Sequence, residues 1–224
     1  LGDGRAGPVF VVRDAAREAI LAEALKAAAF DGFTPLALER AAADAGRTKA
    51  ELAAAFPGGA IDLLAWWSGR ADRAAAAAIA APQEPPLKIR EKAARAIEAR
   101  LAFLRPHKEA ARRAAAFLAL PHNVPRAARL VWTSADAIWR AMGDPSTDFN
   151  FYSKRAILSG VLSTTFVRWL ADDSEDEAAT KSFLAARIDN VMQFEKLKAR
   201  VRDSGVDPEG MFGWLARMRY PERR

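Results

Sequence analysis

The run Gly143-Asp144-Pro145-Ser146-Thr147-Asp148-Phe149-Asn150-Phe151-Tyr152-Ser153-Lys154-Arg155 passes straight into a nearly all-apolar segment, and this junction constrains the fold more than any other part of the chain. Gly143 is a stop signal for a preceding helix, because glycine reaches the left-handed backbone that closes a helix C-terminus. Ser146, Thr147 or Asp148 can accept the free N–H groups that open the next helix. From Ile157 onward, Leu158, Val161, Leu162, Phe166, Val167, Trp169 and Leu170 fall on almost every side of a 3.6-residue wheel. That is the pattern of a central helix enclosed by others. Phe149, Phe151 and Tyr152 stand at its exposed mouth.

Elsewhere, Ala-rich and Arg-rich segments with helical apolar spacing alternate with Gly and Pro, and no stretch carries a series of short alternating strands. The spacing predicts an all-α chain of ten helices at about 13–30, 35–45, 48–56, 60–81, 88–105, 107–120, 125–142, 148–171, 175–202 and 208–219. Ser174-x-x-Glu177 has the capping-box spacing that sets the start of the ninth, whose apolar face is Phe183, Leu184, Ile188, Val191 and Met192. The proline-rich stretch 82–86 is too short to separate independent domains. It divides a head, 13–81, from a body, 88–202, and an amphipathic segment follows at 206–220.

A chain of 224 residues, 51% of them hydrophobic, can bury a sizeable core. Its net charge of +6 makes an acidic surface, nucleic acid or anionic membrane, a natural partner. With no cysteine there is no disulfide framework and no thiolate chemistry, which suits a reducing cytosol. No run of about 18 apolar residues and no basic-then-apolar leader stands in the sequence, so the expectation is a cytoplasmic protein that meets a membrane from its surface. Catalysis finds no support. His107 and His122 each follow a proline and lack a glutamate three residues earlier, so the di-iron Glu-x-x-His pattern is missing. There is no Gly-x-Ser-x-Gly elbow, Walker loop or dinucleotide fingerprint either. His122, inside Pro121-His122-Asn123-Val124-Pro125, reads as a turn organiser rather than a metal ligand. The reading is therefore no catalytic residue, no metal and no cofactor.

Asp207-Pro208 is a helix start with the acid as N-cap and proline at the first helical position. On the following wheel Met211, Phe212, Trp214, Leu215 and Met218 share one arc, flanked by Arg217 and Arg219, the pattern of a membrane-binding interfacial helix. Each large apolar side chain contributes about 1.5–3 kcal/mol and each basic residue about 1 kcal/mol, against about 1–2 kcal/mol per ordered residue. These nearly cancel, so the expected binding is weak, reversible and sensitive to lipid charge. Packing against the chain's own body would satisfy the same arc.

The head carries Phe33-Thr34, then Ala41-Ala42-Ala43-Asp44-Ala45-Gly46, then Thr48-x-x-Glu51 opening a short segment that ends in Ala55-Phe56. This resembles the TetR family, in which the third helix enters the major groove and a lysine after the terminal phenylalanine grips a phosphate. Here Phe56 is followed by Pro57-Gly58-Gly59-Ala60, with no lysine, and the short helix offers Ala50, Glu51, Ala53 and Ala54. Arg47 and Lys49 remain as phosphate contacts, far short of the roughly six to ten that hold an operator against salt. The head is expected to be a vestigial helix-turn-helix that binds no specific nucleic acid.

Phe30-Asp31-Gly32-Phe33, Phe56-Pro57-Gly58-Gly59, Leu120-Pro121-His122-Asn123-Val124-Pro125, the Gly143-to-Arg155 run, Thr180-x-x-Phe183-Leu184 and Arg187-Ile188-Asp189-Asn190-Val191-Met192 together resemble the TetR-like lipid-binding accessory family of coenzyme Q biosynthesis, over about residues 13–202. One departure is Phe151, where the family has tryptophan. The resemblance implies a protein without catalytic activity that holds an isoprenoid quinone precursor or a phospholipid in a hydrophobic tunnel and docks with a ring hydroxylase of the ubiquinone pathway. The dimer habit of the TetR fold further implies a homodimer. For the tunnel the body offers Phe103, Phe117, Leu118, Leu120, Trp132, Ile138, Trp139, Leu158, Leu162, Phe166, Trp169, Val191 and Met192, all of which spacing allows equally to be plain core. For docking it offers Asp148, Asn150, Phe151, Tyr152 and Arg155. The rival readings are a ligand-responsive TetR-type transcriptional repressor, which would need a basic recognition helix, and a membrane-bound scaffold without a specific ligand.

Overall fold

The computed structural model describes residues 8–82, 84–145 and 149–203, with side chains over 14–82, 84–145 and 151–193. Among them the chain forms nine α-helices: α1 (Pro8–Asp31), α2 (Pro35–Asp44), α3 (Lys49–Ala55), α4 (Ala60–Ala80), α5 (Ile89–Leu104), α6 (Lys108–Leu118), α7 (Val124–Ala141), α8 (Phe149–Leu170) and α9 (Ala178–Asp203). The all-α reading holds. The expected tenth helix and the N-cap candidates Ser146, Thr147 and Asp148 lie outside the described residues.

Local chemistry explains the boundaries. Thr34 Oγ1 accepts from the Ala37 N–H at 3.1 Å, with Pro35 at the first helical position of α2. Thr48 and Glu51 exchange the reciprocal bonds of a capping box at 2.8 and 3.2 Å, opening α3. Gly143, at φ +81°, closes α7, and the N–H groups of Gly143 and Asp144 return to the carbonyls of Arg140 and Trp139 at 2.9 and 3.1 Å.

One continuous core runs from Ile20, Leu38 and Phe56 in the head through Leu63, Trp67, Ala71 and Ala75 of α4 to Ile97, Ile138, Leu158, Trp169 and Leu184 in the body. α4 is the pivot, since it packs against α1, α5 and α7. Arg17 of α1 stacks over Trp66 at 4.8 Å and donates to the Ala55 carbonyl at 3.0 Å, pinning α3 and α4 to the first helix. Arg113 of α6 donates to the Ala29 carbonyl at 3.1 Å and ties body to head.

α8 differs from its expected form. Arg155, Leu158, Val161, Leu162, Thr165 and Trp169 are buried, but Tyr152, Ala156, Gly160, Thr164 and Val167 form an exposed row along its other side. Ala156, Gly160 and Thr164 are small or polar, so this row costs little in water. An apolar count around the wheel hides it, because Val167 belongs to the open side.

The start of α9 also departs from the capping-box expectation. Asp176 and Glu177 take left-handed φ values of 51° and 56°, which swing the Glu177 side chain away from the cap. Its Oε1 accepts from Trp169 Nε1 at 2.7 Å, and both of its oxygens receive Arg105, at 3.0 and 2.9 Å. Burial works to raise this carboxyl, but the bonds from Arg105 and Trp169 outweigh it and hold it low. The Ser174 hydroxyl still accepts the Ala179 N–H at 3.1 Å, and Asp172 completes the cap: its Oδ2 accepts from the N–H and hydroxyl of Thr180 at 2.6 and 2.5 Å, while Oδ1 accepts from the Ser174 hydroxyl and N–H at 2.6 and 2.9 Å. The hydroxyl bonds from Ser174 and Thr180 hold the Asp172 carboxyl well below the usual carboxylate range. A carboxyl lowered by folding contributes stability above its unfolded value of about 3.9, and that contribution fades as the pH falls below it. Asp172→Ala should therefore lower the melting temperature at pH 7. The gap to wild type should narrow below about pH 4, as read by thermal denaturation across a pH series.

Candidate functional site

Alanine spacing creates the main cavity. α6 and α7 line the space between them and their neighbours with Ala111, Ala114, Ala115, Ala127 and Ala128, whose methyl groups leave room that larger side chains would fill, and the result is a cavity of about 450 Å³ between α4, α5, α6, α7 and α8. Leu101, Leu104, Leu118, Val131, Leu162 and Phe166 are among the larger side chains of its apolar wall. Val124, 50% exposed, and Val167, 64% exposed, both line the cavity and both face solvent, so they mark its mouth.

One part of the wall is polar: Ser68, Arg100, Ser134 and Ser163 line the same space. Behind them Asp72 accepts from Arg100 Nη1, in a very short contact, and from Ser134 Oγ at 3.1 Å. Arg100 also donates to the Ser68 carbonyl at 3.1 Å and, through Nη2, to the Ser68 hydroxyl at 2.8 Å. Desolvation raises the Asp72 carboxyl and lowers the Arg100 guanidinium, each against the attraction of the other. The pair is thus held at a cost of hydration.

A second cavity of about 240 Å³ lies between α5, α7, α8 and α9, lined by Trp139, Lys154, Ile157, Leu158, Val161, Ile188, Val191 and Met192 among others. Ile97 stands in the walls of both cavities.

Above the second cavity the Lys154-Arg155 pair clamps the α7–α8 junction. Arg155 is 1% exposed. It donates to Asp136 of α7 at 2.6 Å, to Asp144 in the connecting turn at 3.2 Å and to the Phe151 carbonyl at 3.1 Å, and its guanidinium lies 3.4 Å from the centre of the Phe151 ring. Lys154 reaches Asp144 at 2.7 Å and lies 5.3 Å from the Trp139 ring. Next to this buried clamp Tyr152 is 61% exposed, edge-on to Phe151 at 5.2 Å and 6.3 Å from Trp132.

The structure brings together only some of the residues singled out in the sequence. Leu118, Leu162 and Phe166 line the main cavity; Trp139, Leu158, Val191 and Met192 line the second. Phe103, Phe117, Leu120, Trp132 and Trp169 line neither, and Trp169 and Ile138 are fully buried in the core. Of the docking set, Tyr152 is exposed, Phe151 is half-buried and Arg155 is interior, while Asp148 and the Asn150 side chain lie outside the described residues. So do Met211, Phe212, Trp214, Leu215, Arg217, Met218 and Arg219 of the membrane-binding arc. Sequence reasoning missed Ser68, Asp72 and Arg100. Their signal was present, because Asp72 falls in register with the buried row Ala71, Ala75 and Ile79, and Arg100 sits between Ile97 and Leu101.

In the head, both basic residues expected near a phosphate are paired internally: Arg47 with Glu51 at 3.2 Å and Lys49 with Glu39 at 2.7 Å. After Phe56 the Gly58 N–H is taken by the Asp62 carboxylate at 2.7 Å, and a Cβ on Gly58 would stand 2.7 Å from that same side chain. Among the described residues there is no helix long and apolar enough to cross a membrane, and no group of three His, Asp or Glu that could hold a metal.

The Arg155 clamp yields a stability test. Arg155→Met leaves Asp144 with Lys154 and Asp136 with Arg140, so the loss should sit at the low end for a broken buried pair, about 3 kcal/mol in chemical denaturation. Tyr152→Phe, at an exposed ring, should stay within about 0.5 kcal/mol of wild type. Equal effects from the two substitutions would contradict the clamp.

The model of the COQ9 family matches residues 124–195. Over 110 residues, 49% of this chain, the sequence is 38% identical to the mitochondrial ubiquinone biosynthesis protein COQ9 of Bos taurus and 37% identical to that of Homo sapiens, of which it covers 34% and 35%. The mitochondrial COQ9 of Drosophila melanogaster is 29% identical over 191 residues, 82% of this chain and 57% of that relative. The chain thus matches about a third of the length of the cattle and human proteins. A solved structure, the TetR transcriptional regulator from Nitrosomonas europaea, superposes with a TM-score of 0.62 at 21% identity, over 77% of this chain and 95% of that one, and establishes the TetR-like fold.

Proposed function

We propose that this chain, whose residues 124–195 match the model of the COQ9 family, is a non-catalytic accessory protein of ubiquinone biosynthesis that holds an isoprenoid quinone precursor and hands it to a ring hydroxylase at a membrane surface. One observation carries the reading. The segment that matches COQ9 supplies α7 and α8, and these contribute Val124, Ala127, Val131, Ser134, Leu162 and Phe166 to the main cavity. The part of the chain that matches the family model therefore supplies one side of an apolar pocket of ligand-binding size, since such sites run about 300–1,000 Å³. A phospholipid is the competing occupant. The basic, apolar arc at 211–219 supports contact with an anionic bilayer, and the exposed row along α8 supports pairing with a second copy. The head serves as scaffold in this reading. A repressor would need free cations on α3, whereas Arg47 and Lys49 are each held by a carboxylate.

Solvent extraction of the purified protein followed by mass spectrometry tests the function. An isoprenoid lipid should be recovered from wild type. Ala115→Phe, which fills the cavity from α6, should lose most of it while the helical circular dichroism is unchanged. Recovery of no lipid from wild type would overturn the reading.

Docking is tested separately at Tyr152. Its exposed ring is the kind of aromatic that anchors interfaces, where truncation often costs about 2 kcal/mol or more, roughly thirtyfold in affinity. Tyr152→Ala should weaken hydroxylase binding by about that factor with melting temperature and lipid content close to wild type. Unfolding, or lost lipid with hydroxylase affinity preserved, would place Tyr152 outside the docking surface.

A further inference from the structure

Apolar side chains fixed in water beside a cavity mouth need a reason, because burial elsewhere would have stabilised the fold. Leu120 and Val124 are both exposed in the turn between α6 and α7, and Val124 stands with Val167 at the mouth of the main cavity. Their exposure is built into the turn. Asn123, buried between them, donates its Nδ2 to the Phe117 carbonyl at 2.9 Å and its backbone N–H to the Leu120 carbonyl at 2.8 Å. The turn is thereby fixed with Asn123 inward and its apolar neighbours outward.

The charge around this turn has one sign. From Ala110 to Ala135 the chain carries four arginines and no carboxylate, and α8 carries no carboxylate along its whole length. Arg112 is held by Glu109 and Asp173 at the far end of α6, and Arg113 by the Ala29 carbonyl. Arg126 and Arg129 are exposed on the first turns of α7, and among the described residues neither has an ion-pair partner. α7 gains nothing from Arg126, since a cation in the first turn meets the positive end of the helix dipole. The partner that answers both the arginines and the exposed apolar groups has to come from outside the fold.

We infer that the α6–α7 turn is a membrane-contact surface: Leu120 and Val124 enter the interfacial layer of an anionic phospholipid bilayer, Arg126 and Arg129 meet its phosphates, and the main cavity opens directly onto the lipid. Charge complementarity selects this occupant, because a bilayer offers an apolar layer and a plane of negative charge side by side. The surface is distinct in sequence from the basic, apolar arc at 211–219. It also lies away from the exposed ring of Tyr152, which stands about 22 Å from Val167 along α8. A lipid entering at one end of α8 and a protein docked at the other do not compete for space. The inference rests on the lipid-holding reading for its purpose, but bilayer contact is measured separately from cargo.

The chain has no cysteine, so Leu120→Cys and, on the exposed surface of the head, Leu36→Cys each give a single site for a nitrobenzoxadiazole label. Each labelled full chain is titrated with vesicles of phosphatidylglycerol and phosphatidylcholine in equal parts. The label at 120 should shift to the blue and be quenched by nitroxides on the acyl chains, and the label at 36 should do neither. Arg126→Gln/Arg129→Gln should weaken the vesicle affinity read at 120 by about thirtyfold, the effect of two charges beside an anionic leaflet. Arg126→Lys/Arg129→Lys, which keeps both charges, should stay within about threefold of wild type. An unshifted label at 120 on vesicles that carry the protein, or an affinity indifferent to the loss of both arginines, would overturn the inference. So would a label at 120 that is buried without vesicles and exposed on dilution, which would give the turn to a second copy. Failure of wild type to bind the vesicles would overturn it too, while the lipid-holding reading would still stand or fall by solvent extraction.

Discussion

The buried contact of Arg155 with Asp136 and Asp144 is the constraint on which the body depends. Asp136 lies on α7, Asp144 in the turn after it, and Arg155 on α8. One guanidinium thus sets how α7 and α8 leave their shared turn. Those two helices line the main cavity and contribute to the second, and the first turns of α8 carry the exposed Tyr152. A shift at this contact would move the cavity walls and the aromatic surface together. Partial charge pairing alone would not hold such a geometry. Arg155 also donates to the Phe151 carbonyl and stacks on its ring, so little of its binding capacity is left unspecified.

Helix positions were legible in the sequence because the punctuation is chemical. Thr34-Pro35, Thr48 with Glu51, and Gly143 each perform the capping that their residue types imply. Ser174 does half of it, its hydroxyl accepting the Ala179 N–H at 3.1 Å, but Glu177 returns no bond, and the reason is tertiary: its carboxylate is taken by Trp169 and Arg105. Nothing in the spacing of 174–177 announces a tryptophan five residues before it.

The site was legible only in part, because apolar spacing identifies burial and not emptiness. Large side chains such as Phe117 and Trp169 drew attention, but a cavity forms where side chains are small, and the alanines of α6 and α7 define it. Arg155 misled in the opposite sense. Within an exposed polar run a charged residue reads as surface, and only the positions of Asp136 and Asp144 reveal that it faces inward. In the head, the missing cations are visible in the sequence. What could not be seen there is that Arg47 and Lys49 are occupied by Glu51 and Glu39, and that Asp62 takes the Gly58 N–H at the turn where the TetR family holds a phosphate.

Two buried Arg–Asp sites in one small protein show how the surroundings decide what a costly charge is for. Arg155 meets two carboxylates, a backbone carbonyl and an aromatic face, and it lines no cavity, so its environment accounts for it as a structural pin. Arg100 meets one carboxylate and one serine, and it borders about 450 Å³ of space. The desolvation problem is the same for both, but only the first is answered by enclosing protein groups. For the second, the protein supplies fewer partners, and the pair stays in the wall of a cavity that α7 and α8 also line.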